Sequence, residues 1–142
     1  DFSEGMIAEA LKRPQAENVK FRQADAFDPA FEPQSFDVVL ALNLLHLVPD
    51  ATETVARITD LLRPGGVFIS KTPSLKEPGL GWKFWLMKQA IPVMQRMGKA
   101  PYVRFYDFAS IEQEMHSAGL RIIETGNYPV RPPNHFVVAQ KT

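Results

Sequence analysis

The chain has 142 residues, 45% of them hydrophobic and 23% charged, which is enough apolar material for one core but hardly two and excludes a disordered chain. Sixteen lysines and arginines balance sixteen aspartates and glutamates without a basic run, so a nucleic-acid backbone finds no footprint and a small neutral or amphiphilic partner fits better. The absence of cysteine removes disulfides, thiolate nucleophiles and cysteine-ligated metals and suits a reducing, cytoplasmic setting; no secretion signal is visible and no apolar run approaches the roughly 18 residues of a spanning helix.

From Ser3 to Arg13, Met6, Ile7, Ala10 and Leu11 fall at helical spacing, with Ser3 as the cap and Pro14 just past the end. Val19 to Gln23 alternates with period two and predicts a short strand, followed by a proline-rich and polar loop to Ser35. Phe36 to Leu42 is a nearly unbroken aliphatic run, the pattern of a strand covered on both faces near the centre of a parallel sheet. Asp50 and Glu53 resemble a capping box; Val55, Ile58, Leu61 and Leu62 make a stripe, and Pro64-Gly65-Gly66 stops that helix before the strand Val67 to Ser70. Asp107 caps a further helix with the stripe Phe108, Ile111, Met115 and Ala118, closed by Gly119. Leu120 to Thr125 and His135 to Ala139 read as two last strands joined by a proline- and asparagine-containing turn. Alternating elements of this kind imply a mostly parallel sheet with helices on both faces, which binds ligands beyond the carboxyl ends of its strands. The loops Asp1-Phe2-Ser3, Ala24 to Phe27, Asn43 to His46 and the segment 71–106 therefore become the candidate site.

The succession Asp1-Phe2-Ser3-Glu4-Gly5-Met6, Gln23-Ala24-Asp25-Ala26-Phe27, Phe36-Asp37-Val38-Val39 to His46, and Leu61-Leu62-Arg63-Pro64-Gly65-Gly66 resembles the motifs of class I S-adenosylmethionine-dependent methyltransferases, of the small-molecule kind, in order and separation. The resemblance implies an α/β, Rossmann-like doubly wound sheet of order 3-2-1-4-5-7-6 with strand 7 antiparallel. It implies also that the first strand, with its glycine-rich turn, precedes Asp1, so that 1–142 is one N-terminally incomplete domain that depends on association or on a further segment.

By the same resemblance S-adenosylmethionine is the cofactor. The Asp1 carboxylate accepts the ribose hydroxyls, flanked by Phe2, Ser3 and Met6. Asp25 takes the adenine amine, with Ala26 and Phe27 over the ring, and Asn43 and Leu44 line the sulfonium and its methyl group. The plainer alternatives are a solvated Asp1, a turn aspartate at Asp25 and a strand-capping Asn43. His46 is the one histidine near that mouth, a candidate base with packing as the alternative; His116 and His135 share no ligand spacing with it, so no metal is expected.

The stretch 72–106 exceeds ordinary loop lengths and holds both tryptophans. Leu80, Trp82, Phe84, Trp85, Leu86, Met87, Ile91, Val93, Met94 and Met97 predict a helix apolar around much of its girth: a lid over an apolar acceptor, then a homodimer interface through 80–97, then shallow membrane contact, in that order. Tyr102, Arg104 and Tyr106 follow it as polar groups to orient the acceptor, with Trp82 and Trp85 as the apolar wall.

Methyl transfer from a sulfonium is an in-line displacement, so positioning outweighs acid–base work. Asn43-Leu44-Leu45-His46 replaces an Asn-Pro-Pro-Tyr-type signature, which turns expectation from a nitrogen acceptor to oxygen or carbon on a small apolar molecule. A non-catalytic binding or scaffold module is the rival. A nicotinamide-dependent oxidoreductase stands lower, because Tyr102 and Tyr106 have no lysine four residues on.

Overall fold

The computed structural model describes residues 1–14, 16–74, 76, 86, 90–91, 94–97, 102–130 and 133–142. They form two compact units, Asp1–Glu32 and Pro33–Thr142.

In the first unit, helix α1 (Glu4–Leu11) starts where sequence spacing places it. Ser3 caps it, its hydroxyl accepting the Met6 N–H at 3.4 Å and satisfying one of the orphan donors of the first turn. Residues 19–23 do not form the expected strand: no ladder is made there, and Val19 and Phe21 are exposed. A period-two pattern shows which face would be buried, but a strand exists only where a neighbour completes its hydrogen bonds. Here the neighbour is the short run at Asp1, whose carbonyl accepts Ala24 N–H at 3.0 Å.

In the second unit, β1 (Phe36–Leu42), β2 (Leu62–Pro73), β3 (Leu120–Val130) and β4 (Pro133–Lys141) make one sheet in the order β1-β2-β4-β3. β1 and β2 are parallel, and β4 runs antiparallel to both β2 and β3. This is the expected 4-5-7-6 portion of the family sheet, with its antiparallel strand in place. Helices α2 (Ala51–Leu61) and α3 (Phe108–Ser117) supply the remaining core.

One face of the sheet carries that core. Ala41 of β1, Phe68 of β2, and Val137 and Ala139 of β4 pack with Val55 and Ile58 of α2 and with Ile111 and Met115 of α3, all at most 2% exposed. On the other face Val38, Leu40 and Leu42 are 51%, 59% and 54% exposed. β1 pairs with β2 alone, so among the described residues it is an edge strand covered on one side.

The helix ends explain the boundaries. Asp50 Oδ1 accepts Glu53 N–H at 2.8 Å, and Asp107 Oδ1 accepts Ser110 N–H at 2.8 Å. At the far end of α2 the Lys141 ammonium donates to the carbonyls of Thr59 and Leu62 at 2.7 and 2.8 Å, placing a cation on acceptors the helix leaves unpaired. Between Phe36↔Leu62 and Val38↔Val67 the register slips, and the glycines make this passable. Gly65 has φ +78°, and a Cβ on Gly66 would stand 2.8 Å from the Arg63 carbonyl. Pro64-Gly65-Gly66 thus shapes the entry to β2 rather than ending α2, which already stops at Leu61.

Candidate cofactor and acceptor site

In the first unit the structure brings together the two acidic loops singled out in the sequence. Besides the bond from Ala24 to Asp1, the Gln23 side-chain amide donates to the Phe2 carbonyl at 3.0 Å, so the turns Asp1-Phe2-Ser3 and Asp25-Ala26-Phe27 lie next to each other. Each aspartate organises its own turn: Asp1 Oδ1 accepts Ser3 N–H at 2.8 Å and Asp25 Oδ1 accepts Phe27 N–H at 2.7 Å. That leaves the second oxygen of each carboxylate without a partner among the described residues. Phe2 and Phe27 are 74% and 45% exposed, large apolar surfaces beside two carboxylates. Met6, on the first turn of α1, lines an open groove of about 430 Å³ with Ala10, Val19 and Phe21.

In the second unit, Asn43 ends β1 at φ +60°, a conformation asparagine tolerates, while its N–H keeps a 2.8 Å bond to the Lys71 carbonyl. The chain then turns through Leu44, whose carbonyl accepts Leu47 N–H at 2.8 Å, burying Leu45 and half-burying His46. Arg104 N–H donates to the His46 carbonyl at 2.8 Å, which sets the run into α3 against the end of β1. The Arg104 guanidinium stands 5.1 Å from the centre of the Tyr106 ring and 3.6 Å from Glu114 Oε1. Glu114 Oε2 accepts the Thr52 hydroxyl at 2.7 Å. Tyr102 and Arg104 are exposed and Tyr106 is wholly buried. Trp82 and Trp85 lie outside the described residues; of their stretch, Leu86, Met94 and Met97 are 49%, 42% and 59% exposed.

Burial lowers the His46 pKa, so its imidazole is neutral at pH 7. Burial first, and the Glu114 charge second, push the Tyr106 phenol up to about 12 and keep its proton in place. A histidine whose folded pKa lies below its unfolded value stabilises the fold fully above about pH 6.5 and loses that contribution as pH falls through the folded pKa. We expect thermal melts to show a drop in stability below about pH 6.5 that His46→Gln diminishes; identical profiles for the two proteins would contradict the assignment.

Glu114, Thr52 and Ser74 were not singled out in the sequence. Glu114 follows Ile111 at the spacing of the buried stripe and was the one available signal. His135 is more than the opening of a strand: its Nε2 lies 3.0 Å from Glu112 Oε1, its Nδ1 lies 2.8 Å from Asn127 Oδ1, and Phe108 stacks on its ring at 4.7 Å.

Comparison with known proteins decides the family. Residues 1–70 match the family model described as "Methyltransferase domain". The ubiquinone/menaquinone biosynthesis C-methyltransferase UbiE of Desulfotalea psychrophila is 30% identical over 120 residues, covering 83% of this chain and 49% of that protein. Over residues 1–70 the chain belongs to the methyltransferase-domain family. It spans about half the length of this relative. Among solved structures, an S-adenosylmethionine-dependent methyltransferase from Mesorhizobium loti superposes with a TM-score of 0.72 at 19% identity, covering 99% of this chain and 78% of that one. The [4+2]-cyclase SpnF superposes with a TM-score of 0.74 at 15% identity, covering 99% of this chain and 63% of that one. Likeness at such identities speaks for the fold alone, and the second case shows that the fold also carries chemistry other than methyl transfer. No helix among the described residues is long and apolar enough to cross a membrane.

Proposed function

We propose that this chain forms the cofactor loops and acceptor end of an S-adenosylmethionine-dependent methyltransferase acting on an oxygen or carbon atom of a small, largely apolar molecule. The observation that carries this is the joining of the two acidic turns by the Ala24–Asp1 and Gln23–Phe2 bonds, with two phenylalanine rings exposed beside them. A nucleoside needs this chemistry: carboxylate oxygens for ribose hydroxyls and for an exocyclic amine, and apolar surface for the base. Asp1, Phe2, Ser3 and Met6 serve the ribose side, Asp25, Ala26 and Phe27 the adenine side, and Asn43 and Leu44 the end that bears the methyl group. Bound there, the cofactor supplies an activated methyl group. The chain's own residues hold the acceptor in line and exclude water, and neutral His46 receives a proton where the acceptor carries one. UbiE, which is named as a C-methyltransferase, is consistent with a carbon acceptor. The reading is tested by incubating the intact protein with S-adenosylmethionine and a panel of phenols, quinols and their nitrogen analogues. Methylated oxygen or carbon products are expected, and exclusive methylation of the nitrogen analogues would overturn it.

Trp82 and Trp85 belong in this reading to a lid, with Tyr102, Arg104 and Tyr106 orienting the acceptor. Trp85→Ala is expected to raise KM for an apolar acceptor several-fold with cofactor affinity unchanged. Should it instead dissociate a homodimer in sedimentation and leave acceptor kinetics untouched, the segment 80–97 is an assembly surface.

A further inference from the structure

Among the described residues three side-chain atoms are buried without a hydrogen-bond partner: His46 Nδ1, Ser74 Oγ and Tyr106 Oη. An unpaired buried polar group loses its hydration without replacement, so natural cores hold few of them and a gathering of three calls for a cause. These three are not scattered. His46 lies on the loop after β1, Ser74 follows β2, and Tyr106 precedes α3. The Arg104 N–H bond to the His46 carbonyl at 2.8 Å and the Lys76 N–H bond to the Tyr106 carbonyl at 2.9 Å lace the three segments together at the carboxyl ends of β1 and β2. Each orphan stands within two residues of one of those bonds.

Local contrasts sharpen the point. Ser70 and Thr72 are buried hydroxyls in the same row of β2, and they bond each other at 3.2 Å. Ser74, next in that row and 0% exposed, bonds through its backbone to the Pro133 carbonyl but leaves its hydroxyl unused. Tyr106 is likewise 0% exposed; Glu114 lies close enough to hold its proton by charge and by a weak side-chain hydrogen bond, but it is engaged by Thr52 and Arg104, and at full bonding distance and angle the phenol has no partner. The two hydroxyls are donors, and the neutral imidazole supplies a donor or an acceptor according to tautomer.

We propose that Ser74 Oγ, Tyr106 Oη and His46 Nδ1 form the polar end of the acceptor site, and that the acceptor is an oxygenated molecule, a phenol or enol, whose oxygen these groups bind. The inference rests on the methyltransferase reading and narrows it. Such a site rejects an analogue lacking the oxygen, because its buried groups would then stay unpaired. Since Ser74 and Tyr106 are closed to solvent, the ligand reaches them through local opening, and association slower than for an open surface follows.

The test uses naphthol and naphthalene as probes on the intact protein, with binding measured by equilibrium dialysis. Wild type is expected to prefer naphthol, and Tyr106→Phe and Ser74→Ala each to reduce that preference about tenfold. Melting temperature is expected to hold or rise in both variants, since neither hydroxyl has an internal bond of full geometry to lose. No preference in wild type, or a preference that both variants retain, overturns the proposal; so does a lowered melting temperature with preference unchanged, which would make the hydroxyls structural. S-adenosylhomocysteine binding is measured on the same samples. Its absence would count against the methyltransferase reading, while the naphthol preference judges the polar site by itself.

Discussion

Phe68→Ala is expected to destabilise the protein by about 3–5 kcal/mol, the largest effect of any single substitution considered. Phe68 is fully buried in the middle of β2, between Leu40's neighbour Val39 on one side and Ala139 on the other, in the register Val39↔Phe68↔Ala139. Its side chain faces the one covered side of the sheet, where α2 and α3 close the core, so truncation leaves a cavity that two helices and two strands would have to collapse around. Arg63→Ala is the contrast. Its guanidinium reaches both oxygens of Asp37 at 2.7 Å, but the two side chains are 50% and 78% exposed, and an ion pair so open to water contributes at most about 1 kcal/mol. Denaturant melts of the two variants check the ranking, and equal losses would contradict a core confined to one face.

The second large effect is expected at the cofactor loops. Asp25→Ala is expected to weaken S-adenosylhomocysteine binding by about 1–3 kcal/mol, through loss of a charge-assisted hydrogen bond to the adenine amine. Asp25 also holds its turn by accepting the Phe27 N–H, so alanine alone would confound ligand contact with loop shape. Asp25→Asn separates the two: its side-chain carbonyl still accepts from Phe27, while the negative charge is gone. An affinity for Asp25→Asn close to that of Asp25→Ala assigns the loss to the ligand contact. Wild-type affinity in Asp25→Asn would leave the carboxylate with the turn only.

Local signals were the legible part of the sequence. Asp50 and Asp107 announce α2 and α3 because capping joins residues three apart, and the stripe Val55, Ile58 and Leu61 faces the core as its spacing implies. The order of the four strands followed from the family resemblance, whose motifs sit on the loops that the structure brings out. Less legible were features that depend on a distant partner. Residues 19–23 have a strand's pattern and no ladder. Nothing near Lys141 in the chain shows that its ammonium closes a helix about 80 residues earlier. Glu114 is a buried carboxylate between Thr52 and Arg104, and Ser74 carries a buried hydroxyl; neither stands out in the sequence. A burial pattern can be read from periodicity, whereas a polar network across three segments depends on their meeting.

The central claim is that the paired turns at Asp1 and Asp25 bind the nucleoside of S-adenosylmethionine. Titration calorimetry of S-adenosylhomocysteine into the intact protein tests it most directly: saturable binding at one site per chain, weakened by Asp25→Asn, is the expected result, and an intact, folded protein that takes up no ligand would contradict it.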